Sequence, residues 1–336
     1  MYHDQRRRGP VVGRREVLSR FPSVSAELWK EAAARFPVQV TRSWFQRMRT
    51  AEDPLALQVL PGEQELRDDP GDAPDPVGEL GRRPLPWVVQ KHPDRALLLL
   101  TRRCHLYCRY CFRRDQQGPE DPSPAELDRA LQFLKGSGVR EVILSGGDPL
   151  AVRDSTLFAV IDALRPEVPV LRLHTRAPIT APERVTPALV QGLAMRRPVW
   201  VLVHCNHPDE LSSDVRRALV RLLDAGLPVL NQAVLLAGVN DEVEVLARLC
   251  EELVALGVFP YYLHHPDQVP GNAAFRLRPE RGLELVAALA ARVSGIALPR
   301  YVIDPPDGLG KLDVAAWVGA GHRRPVASPP SRPAGP

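Results

Sequence analysis

From residue 95 onward, short apolar runs alternate with longer segments in which apolar positions recur at helical spacing. The segment "EVILSGG" precedes "STLFAVIDALR", for example, and "VWVLVHCN" precedes "SDVRRALVRLLDAG". The short runs are continuously apolar, which is typical of parallel strands buried on both faces. Six such units predict an α/β fold, a partial (β/α)6 barrel of the TIM type with right-handed crossovers. In such barrels, functional side chains lie at the carboxyl ends of the strands.

The pattern divides the chain into three parts. Residues 1–90 predict a helical and irregular extension, in which "SVSAELWKEAAARF" has a serine start and helical spacing. A segment rich in proline, glycine and acidic residues follows it and is typical of a long loop. Residues 91–315 are predicted to form the barrel, and residues 316–336 lack apolar periodicity and are predicted to be a disordered tail.

Composition restricts the classes of function. The 336 residues are 44% apolar and 25% charged, with a net charge of +4, which is typical of a globular protein. That charge is too small to indicate nucleic-acid or membrane binding, and no apolar run approaches the roughly 18 residues of a membrane span. The basic first residues lack the apolar segment of a secretory signal. Five cysteines, three of them clustered, do not suit a disulfide framework, so we expect a reducing cytoplasm.

Three cysteines follow the first predicted barrel strand, at its functional end. Cys104, Cys108 and Cys111 have the spacing C-x3-C-x2-C, which lets one loop wrap three thiolates around a small cluster. A four-iron cubane held by three cysteines keeps one iron open for another ligand. A structural zinc ion would need a fourth ligand, and His105 lies inside the loop, where its geometry is unfavourable. The remaining cysteines are predicted to be core residues: Cys205 and Cys250.

The motif "CHLYCRYC" after one strand and "LSGGDPL" at the end of the next resemble the radical S-adenosylmethionine (SAM) superfamily. The resemblance implies a [4Fe-4S] cluster whose open iron binds the amino and carboxylate groups of SAM. It also assigns Gly146, Gly147 and Asp148 to cofactor binding, because the missing glycine side chains let the backbone approach the amino group. A Gly-Gly pair after a strand is by itself usually a turn, but the cysteine loop one βα unit earlier makes the combination specific.

A narrower resemblance, to the lysine 2,3-aminomutase family, covers residues 50–315. It rests on ordered blocks that include "HPDRALLLLTRRC", "HCNHPDEL", "NQAVLLAGVND" and "VSGIALPRYVIDPPDGLGK". The family adds pyridoxal 5′-phosphate as a second cofactor. Through its match in "DGLGK", Lys311 is the catalytic lysine that forms a Schiff base with this cofactor, a role that suits a partly desolvated amine. Arg95 matches a phosphate-binding arginine, whose planar fork suits a phosphate, and Lys91 assists it.

The same resemblance implies a cationic amino-acid substrate. Arg113 matches the residue that binds the substrate α-carboxylate, whereas Asp267 and Asp304 match carboxylates that pair with the ε-ammonium of lysine. Two carboxylates aimed at one point repel each other unless a cation lies between them, and relatives that act on glutamate lack this pair. Two more matches are assigned to cofactor contacts: His204 and Gln232. Two neighbours of His204 serve either the site or their own loop: Asn206 and His207.

The activity implied is the conversion of L-lysine to β-lysine. The reduced cluster cleaves SAM, the resulting 5′-deoxyadenosyl radical takes a hydrogen from C3 of lysine, and the amino group moves from C2 to C3. A flavodoxin or ferredoxin is the expected electron donor, and a homo-oligomer is expected.

Alternatives stay open at this point. Longer family members carry zinc-binding cysteines in a C-terminal extension, whereas this chain has none after Cys250, and its length resembles relatives that make β-lysine for elongation factor P. The enzyme could instead be a 2,3-aminomutase for another amino acid, or a radical SAM enzyme without pyridoxal phosphate. A non-catalytic iron–sulfur protein would leave Lys311 and the aspartate pair unexplained.

Overall fold

Parallel pairing joins most strands of a single nine-stranded sheet, in the order in which they follow one another along the chain. The computed structural model describes residues 10–306 and 310–322. The strands are β1 (Val88–His92), β2 (Arg95–Leu99), β3 (Glu141–Ser145), β4 (Val170–His174), β5 (Trp200–Val203), β6 (Val229–Val234), β7 (Phe259–His264), β8 (Arg300–Ile303) and β9 (Leu312–Asp313). β2 to β8 are parallel, and β1 and β9 add antiparallel edges. The prediction of an α/β partial barrel is confirmed, with β2 to β7 as the six predicted units.

Helices connect the parallel strands, and four more precede the sheet. They are α1 (Arg14–Arg20), α2 (Ala26–Arg35), α3 (Arg42–Arg47), α4 (Pro54–Leu57), α5 (Pro124–Gly136), α6 (Asp154–Leu164), α7 (Ala177–Thr180), α8 (Pro187–Ala194), α9 (Ser213–Asp224), α10 (Val243–Ala255), α11 (Pro279–Ala290) and α12 (Val314–Gly319). Local sequence explains their starts: α5 begins with a capping box between Ser123 and Glu126 and has proline at its first position. Within the described residues, no helix combines the length and the apolar composition that a membrane crossing requires.

The interior of the barrel is more polar than the sequence pattern predicts. In β4, Leu171 and Leu173 are buried in the main apolar core, whereas Arg172 and His174 alternate with them and are partly accessible. The Arg172 guanidinium forms an ion pair with Glu141 on the neighbouring strand β3. Because successive side chains of a strand point to opposite faces, one face of the sheet packs against helices and the other carries polar groups into the barrel. The interior is therefore suited to hold a ligand.

The N-terminal helices share one continuous apolar core with the barrel. Trp44 is fully buried, and its indole nitrogen donates to the carbonyl of Leu55 at 3.0 Å. Arg47 donates to the carbonyl oxygens of Ile179 at 2.8 Å and Glu210 at 2.7 Å, which attaches α3 to loops of the barrel. The predicted division between residues 90 and 91 falls inside β1, an edge strand whose last residues are polar. The three-part division of the chain stays a prediction.

One buried carboxylate of the extension holds the loop that follows β2. Glu65 lies in the 3-10 turn Glu63–Leu66 and forms ion pairs with both Arg109 and Arg114, and the Arg109 Nε donates to Glu65 Oε2 at 2.9 Å. Arg109 also donates to the carbonyl of Pro37 at 2.8 Å. These side chains are almost fully buried, so each charge depends on its partner for compensation.

The C-terminal end of the described chain is helical beyond the predicted boundary. The sequence predicts a disordered tail from residue 316, whereas α12 continues to Gly319. Trp317 is buried against the core around β8, and its ring stacks on His322 with centroids 5.3 Å apart. Two buried side chains, Val314 and Trp317, dock this short helix although the segment lacks a periodic apolar pattern. The rest of the predicted tail, residues 323–336, lies outside the described residues.

Replacing Glu65 by alanine is expected to destabilise the fold by about 3–5 kcal/mol, because Arg109 and Arg114 would be left buried without a counter-charge. Chemical denaturation of the full chain measures this free energy of unfolding. Glu27→Ala, which removes an exposed carboxylate paired with Lys30 on α2, is the matched control and should change little. Equal stability of both variants would contradict the assigned role of Glu65.

Candidate active site

The three clustered cysteines lie in the loop after β2, at the carboxyl end of the parallel strands. The backbone of this loop is fixed from two sides. Gln39, from the N-terminal extension, donates to the carbonyls of Cys104 at 3.1 Å and His105 at 2.8 Å. On the other side, the backbone N–H of Gly147 donates to Thr101 at 2.7 Å, and that of Asp148 donates to Arg103 at 2.8 Å. The loop is therefore held in place by protein contacts alone.

The structure shows why the two residues after β3 are glycines, a packing requirement that the sequence reasoning did not find. A Cβ atom on Gly146 would lie 2.2 Å from the carbonyl oxygen of Thr101, and one on Gly147 would lie 2.2 Å from that of Arg103. Gly146 also has a φ of +127°, which side chains rarely adopt. The glycines thus let the end of β3 pack directly against the start of the cysteine loop. Their predicted contact with a cofactor stays a prediction.

The carboxylate of Asp148 links the ends of neighbouring strands. Its Oδ1 accepts hydrogen bonds from the backbone of Leu150 at 2.9 Å and from the Thr175 hydroxyl at 2.7 Å. Its Oδ2 accepts from the backbone N–H of Arg176 at 2.8 Å. Since both oxygens are used within the protein, Asp148 acts here as a positioning residue for the loops after β3 and β4.

The thiols of Cys104 and Cys111 carry raised pKa values. Burial is the largest cause for both Cys104 and Cys111: it raises the pKa of Cys111 to about 11, and the negative charge of Asp148 adds to the effect on Cys104. Each of these thiols is also affected by the charge of Cys108, so all three lie close together. Metal binding has to remove these protons, as an iron cluster does when thiolates ligate it.

The donor set fits the cluster that the motif implies. Three soft sulfur ligands on one partly accessible loop are the ligands that iron–sulfur clusters use. Within the described ranges, no three His, Cys, Asp or Glu side chains are grouped around a single metal ion. His105 lies against Asp148, with 3.9 Å between its Nδ1 and the carboxylate. The two remaining cysteines, Cys205 and Cys250, are buried among apolar side chains, as predicted.

Lys311 and Asp304 lie together at the same mouth of the barrel. The Lys311 Nζ is 3.7 Å from one oxygen of Asp304, and the Lys91 Nζ is 2.9 Å from the other. Desolvation lowers the pKa of Lys311, and the positive charges of Arg172 and Lys91 lower it further, whereas Asp304 and Asp267 oppose them. The structure therefore brings both predicted substrate carboxylates near the predicted catalytic lysine, and its amine loses its proton more readily than an ordinary lysine.

Arg113 is engaged by a partner that the sequence reasoning missed. Its guanidinium binds Glu79 through two hydrogen bonds of 2.8 and 2.6 Å, and its remaining nitrogen faces the Ser145 hydroxyl at 3.3 Å. Burial alone would raise the pKa of Glu79, but Arg113 and Lys91 hold it below its ordinary value, so the carboxylate stays ionised. Glu79 lies in the long loop before β1, where its acidic neighbours and irregular pattern gave no signal of a buried role.

Neutral imidazoles line the barrel between the cysteine loop and Lys311. The Gln232 amide nitrogen lies 2.8 Å from His204 Nε2 and 3.1 Å from His174 Nδ1. Burial lowers the pKa of His204 to about 3, with the charges of Arg176, Arg113 and Lys311 adding to the effect. Burial likewise lowers the pKa of His174 and of His264, neither of which was predicted. The predicted pair His204 and Gln232 is thus brought together, and its role toward a cofactor stays a prediction.

Asn206 and His207, whose roles the sequence left open, form hydrogen bonds with neighbouring parts of the protein. The Asn206 amide donates to the Tyr110 hydroxyl at 2.6 Å, and its oxygen accepts from the backbone of Val234 at 2.9 Å. His207 Nδ1 accepts from the backbone of Asp209 at 3.1 Å. Both side chains therefore stabilise their own loop against neighbouring elements.

Arg95 lies at the start of β2, at the end of the strand opposite to the cysteine loop. Its guanidinium is 41% exposed and lies 3.4 Å from Asp94. His92 connects it to the lysine turn: burial and the charge of Arg95 lower the pKa of His92, and a Cβ on Gly310 would lie 2.5 Å from the His92 Nε2. His92 thus lies between Arg95 and the segment that carries Lys311, and the predicted phosphate role of Arg95 stays a prediction.

Comparison with known proteins agrees with this geometry. Residues 98–250 match the model of the radical SAM superfamily. L-lysine 2,3-aminomutase from Clostridium subterminale is 42% identical over 267 residues, which are 78% of this chain and 64% of that protein. L-lysine 2,3-aminomutase from Acetoanaerobium sticklandii is 41% identical over the same shares of the two chains. A relative from Treponema pallidum named for the same family is 40% identical over 268 residues, 78% of this chain and 75% of its own.

The barrel, the cysteine loop and the glycine turn define a radical SAM protein. Within that superfamily, the chain belongs to the lysine 2,3-aminomutase family. Radical SAM proteins use a [4Fe-4S] cluster and SAM, and lysine 2,3-aminomutases also use pyridoxal phosphate. The chain spans a little under two thirds of the length of the first two relatives.

Gly146→Ala is expected to abolish cluster binding, because the added Cβ would push the glycine turn away from the backbone of Thr101. Iron and sulfide content after anaerobic reconstitution measures the loss. Gly136→Ala, at the end of α5 where a Cβ has no neighbour within 4 Å, is the control and should bind a full cluster. A Gly146→Ala protein with full iron content would refute the close-packing argument.

Lys91→Met is expected to move the predicted attachment of pyridoxal phosphate at Lys311 to higher pH. The substitution removes a positive charge and leaves Asp304 to pair with Lys311, so the pKa of Lys311 rises and its neutral form needs a higher pH. A pH titration of the absorbance of the attached cofactor measures the midpoint. Lys135→Met, on α5 outside the barrel, should leave the midpoint unchanged; an unchanged midpoint in Lys91→Met would contradict the charge arrangement.

Proposed function

We propose that this protein is a radical SAM, pyridoxal phosphate-dependent aminomutase that converts L-lysine to β-lysine. The observation that carries the proposal is the convergence of Lys311, Asp304 and Asp267 at the barrel mouth that also holds the cysteine loop. Such a site offers a nucleophilic amine and two carboxylates for a substrate with a cationic side chain.

The charges of the site match a zwitterion with a second ammonium group. Arg113 provides a planar fork for the α-carboxylate, and its Nη1 already lies near polar groups of the β3 terminus. Asp304 provides the carboxylate for the ε-ammonium, at the oxygen that the Lys91 ammonium contacts. The distance between these two anchors then selects the length of the side chain.

When bound, SAM and the cluster supply an organic radical, and pyridoxal phosphate supplies a conjugated ring that stabilises an unpaired electron on the migrating group. Cys104, Cys108 and Cys111 would hold the cluster, and Lys311 would hold the pyridoxal cofactor. The protein orients the reactants toward one another, and the neutral, half-buried histidines His174, His204 and His264 line the barrel interior without adding charge.

The partners follow from this chemistry. We propose a low-potential electron donor of the flavodoxin or ferredoxin type, and a homo-oligomer, as in the sequence-based prediction. Use of the product for modification of elongation factor P stays an alternative role for the same reaction.

Anaerobically reconstituted protein, given SAM, pyridoxal phosphate and a reductant, is expected to convert L-lysine to β-lysine, with chromatography of the amino acids as the measurement. Asp304→Asn should lower turnover of lysine by at least about 100-fold, because removal of a buried charge partner costs several kcal/mol. SAM binding, measured by its effect on the cluster spectrum, should stay intact.

L-glutamate is the discriminating substrate, since glutamate 2,3-aminomutase from Clostridioides difficile is 35% identical over 264 residues of this chain. Conversion of glutamate without conversion of lysine would overturn the assigned substrate. Absence of any aminomutase product from a protein that holds all three cofactors would overturn the proposal as a whole.

A further inference from the structure

We infer that Arg176 is a positioning residue that hydrogen-bonds the Cys108 sulfur and thereby raises the reduction potential of the cluster. Arg176 follows β4 in the segment "HTRAP" and was not among the predicted site residues. Of the proposed function, this inference requires only that the three cysteines bind the cluster. It does not depend on the identity of the amino-acid substrate.

Among the three cysteines of the loop, Arg176 contacts Cys108. Its Nη1 lies 2.7 Å from the Cys108 Sγ, a short separation for a nitrogen donor and a sulfur acceptor. Cys104 contacts a neutral group instead, since its thiol lies 3.6 Å from the amide oxygen of Gln117. The positive charge of Arg176 therefore lies next to Cys108, on one side of the three cysteines.

The guanidinium of Arg176 is held in one orientation. Its plane lies over the rings of Trp44, at 4.9 Å, and Tyr110, at 5.5 Å. Its Nη2 donates to Gln58 Oε1 at 2.7 Å and lies 3.2 Å from the Glu210 carboxylate. Only 10% of the side chain is exposed. A side chain with this many partners is pre-organised to donate to sulfur and is not free to turn toward solvent.

The partners of Arg176 are themselves buried and connected. Gln58 donates to Glu210 at 3.0 Å and accepts from Asn206 at 3.0 Å. The Glu210 Oε1 also accepts from the backbone of Asn206 and His207, each at 3.1 Å. Trp44 and Gln58 come from the N-terminal extension, whereas Arg176, Asn206 and Glu210 follow barrel strands. The N-terminal extension thus helps to aim a cation at the cluster.

Reduction adds one negative charge to the cluster and its sulfur ligands. A cationic N–H donor at a ligating sulfur stabilises the more negative state, and hydrogen bonds to sulfur are one of the means by which proteins set cluster potentials. Low local polarity strengthens this interaction. Glu210 offsets part of the charge but lies on the far side of the guanidinium, since it pairs with Nη2 while Nη1 faces sulfur.

An electrochemical titration of the reconstituted full chain, followed by electron paramagnetic resonance of the reduced cluster, tests the inference. In Arg176→Gln the one-electron reduction equilibrium should become at least tenfold less favourable, a shift of about 59 mV to more negative potential. Arg176→Lys, which keeps the charge but loses the fork, should lie between wild type and Arg176→Gln. This readout needs neither lysine nor pyridoxal phosphate, so it succeeds or fails independently of the aminomutase activity.

Arg196→Gln is the matched control. The Arg196 guanidinium also stacks on an aromatic ring, Phe158 at 4.5 Å, and pairs with a carboxylate, Asp162 at 2.6 Å, but it follows α8 away from the cysteine loop. Its substitution should leave the potential unchanged. An Arg176→Gln protein with full iron content and the wild-type potential would overturn the inference.

A second measurement covers the case in which both Arg176 variants fail to fold. Wild-type protein is prepared with arginine labelled with ¹⁵N only in the guanidinium group, and pulsed electron paramagnetic resonance then detects magnetic coupling of those nitrogens to the reduced cluster. The hydrogen bond to Cys108 predicts a measurable coupling, and its absence would overturn the inference without any variant.

Discussion

The contact between two backbones organises the barrel mouth: the Gly146–Gly147 turn lies directly against the start of the cysteine loop at Thr101 and Arg103. No side chain could occupy that space, so the turn after β3 fixes where the loop after β2 begins. The N-terminal extension holds the other side of the loop through Gln39 and Glu65. Three cysteines on a short loop would otherwise have many conformations, and these contacts restrict them.

Charge pairing is the second constraint. A buried charge without a partner is costly, and two of the predicted substrate anchors have partners within the protein: Arg113 with Glu79, and Asp304 with Lys91. Under the proposed function, lysine brings a carboxylate and an ammonium group, so it can share or replace these internal partners without leaving a charge unpaired. Substrate binding then exchanges one set of ion pairs for another, and selectivity depends on the distance between the anchors.

Burial also sets the protonation of the groups that lie between the cysteine loop and Lys311. The imidazoles of His174, His204 and His264 have lowered pKa values because they are desolvated among positive charges, so they are neutral at ordinary pH. They carry hydrogen-bonding groups without adding charge between the cysteine loop and Lys311. Two cationic groups contact neighbouring residues of the site: Arg176 contacts the Cys108 sulfur, and Lys91 contacts Asp304.

The sequence by itself determined the barrel, because continuous apolar runs and helical periodicity are local signals. It predicted the cysteine loop from a spacing within a few residues, and Lys311 from the resemblance of its flanking blocks to a family. It could not determine which groups meet across long sequence separations. Glu79, Glu65 and Arg176 look like ordinary surface charges along the chain, and only the fold buries them against Arg113, Arg109 and Cys108. The docking of α12 and the edge strand β1 were decided in the same way, since a partner surface, and not a local pattern, supplies the free energy that orders them.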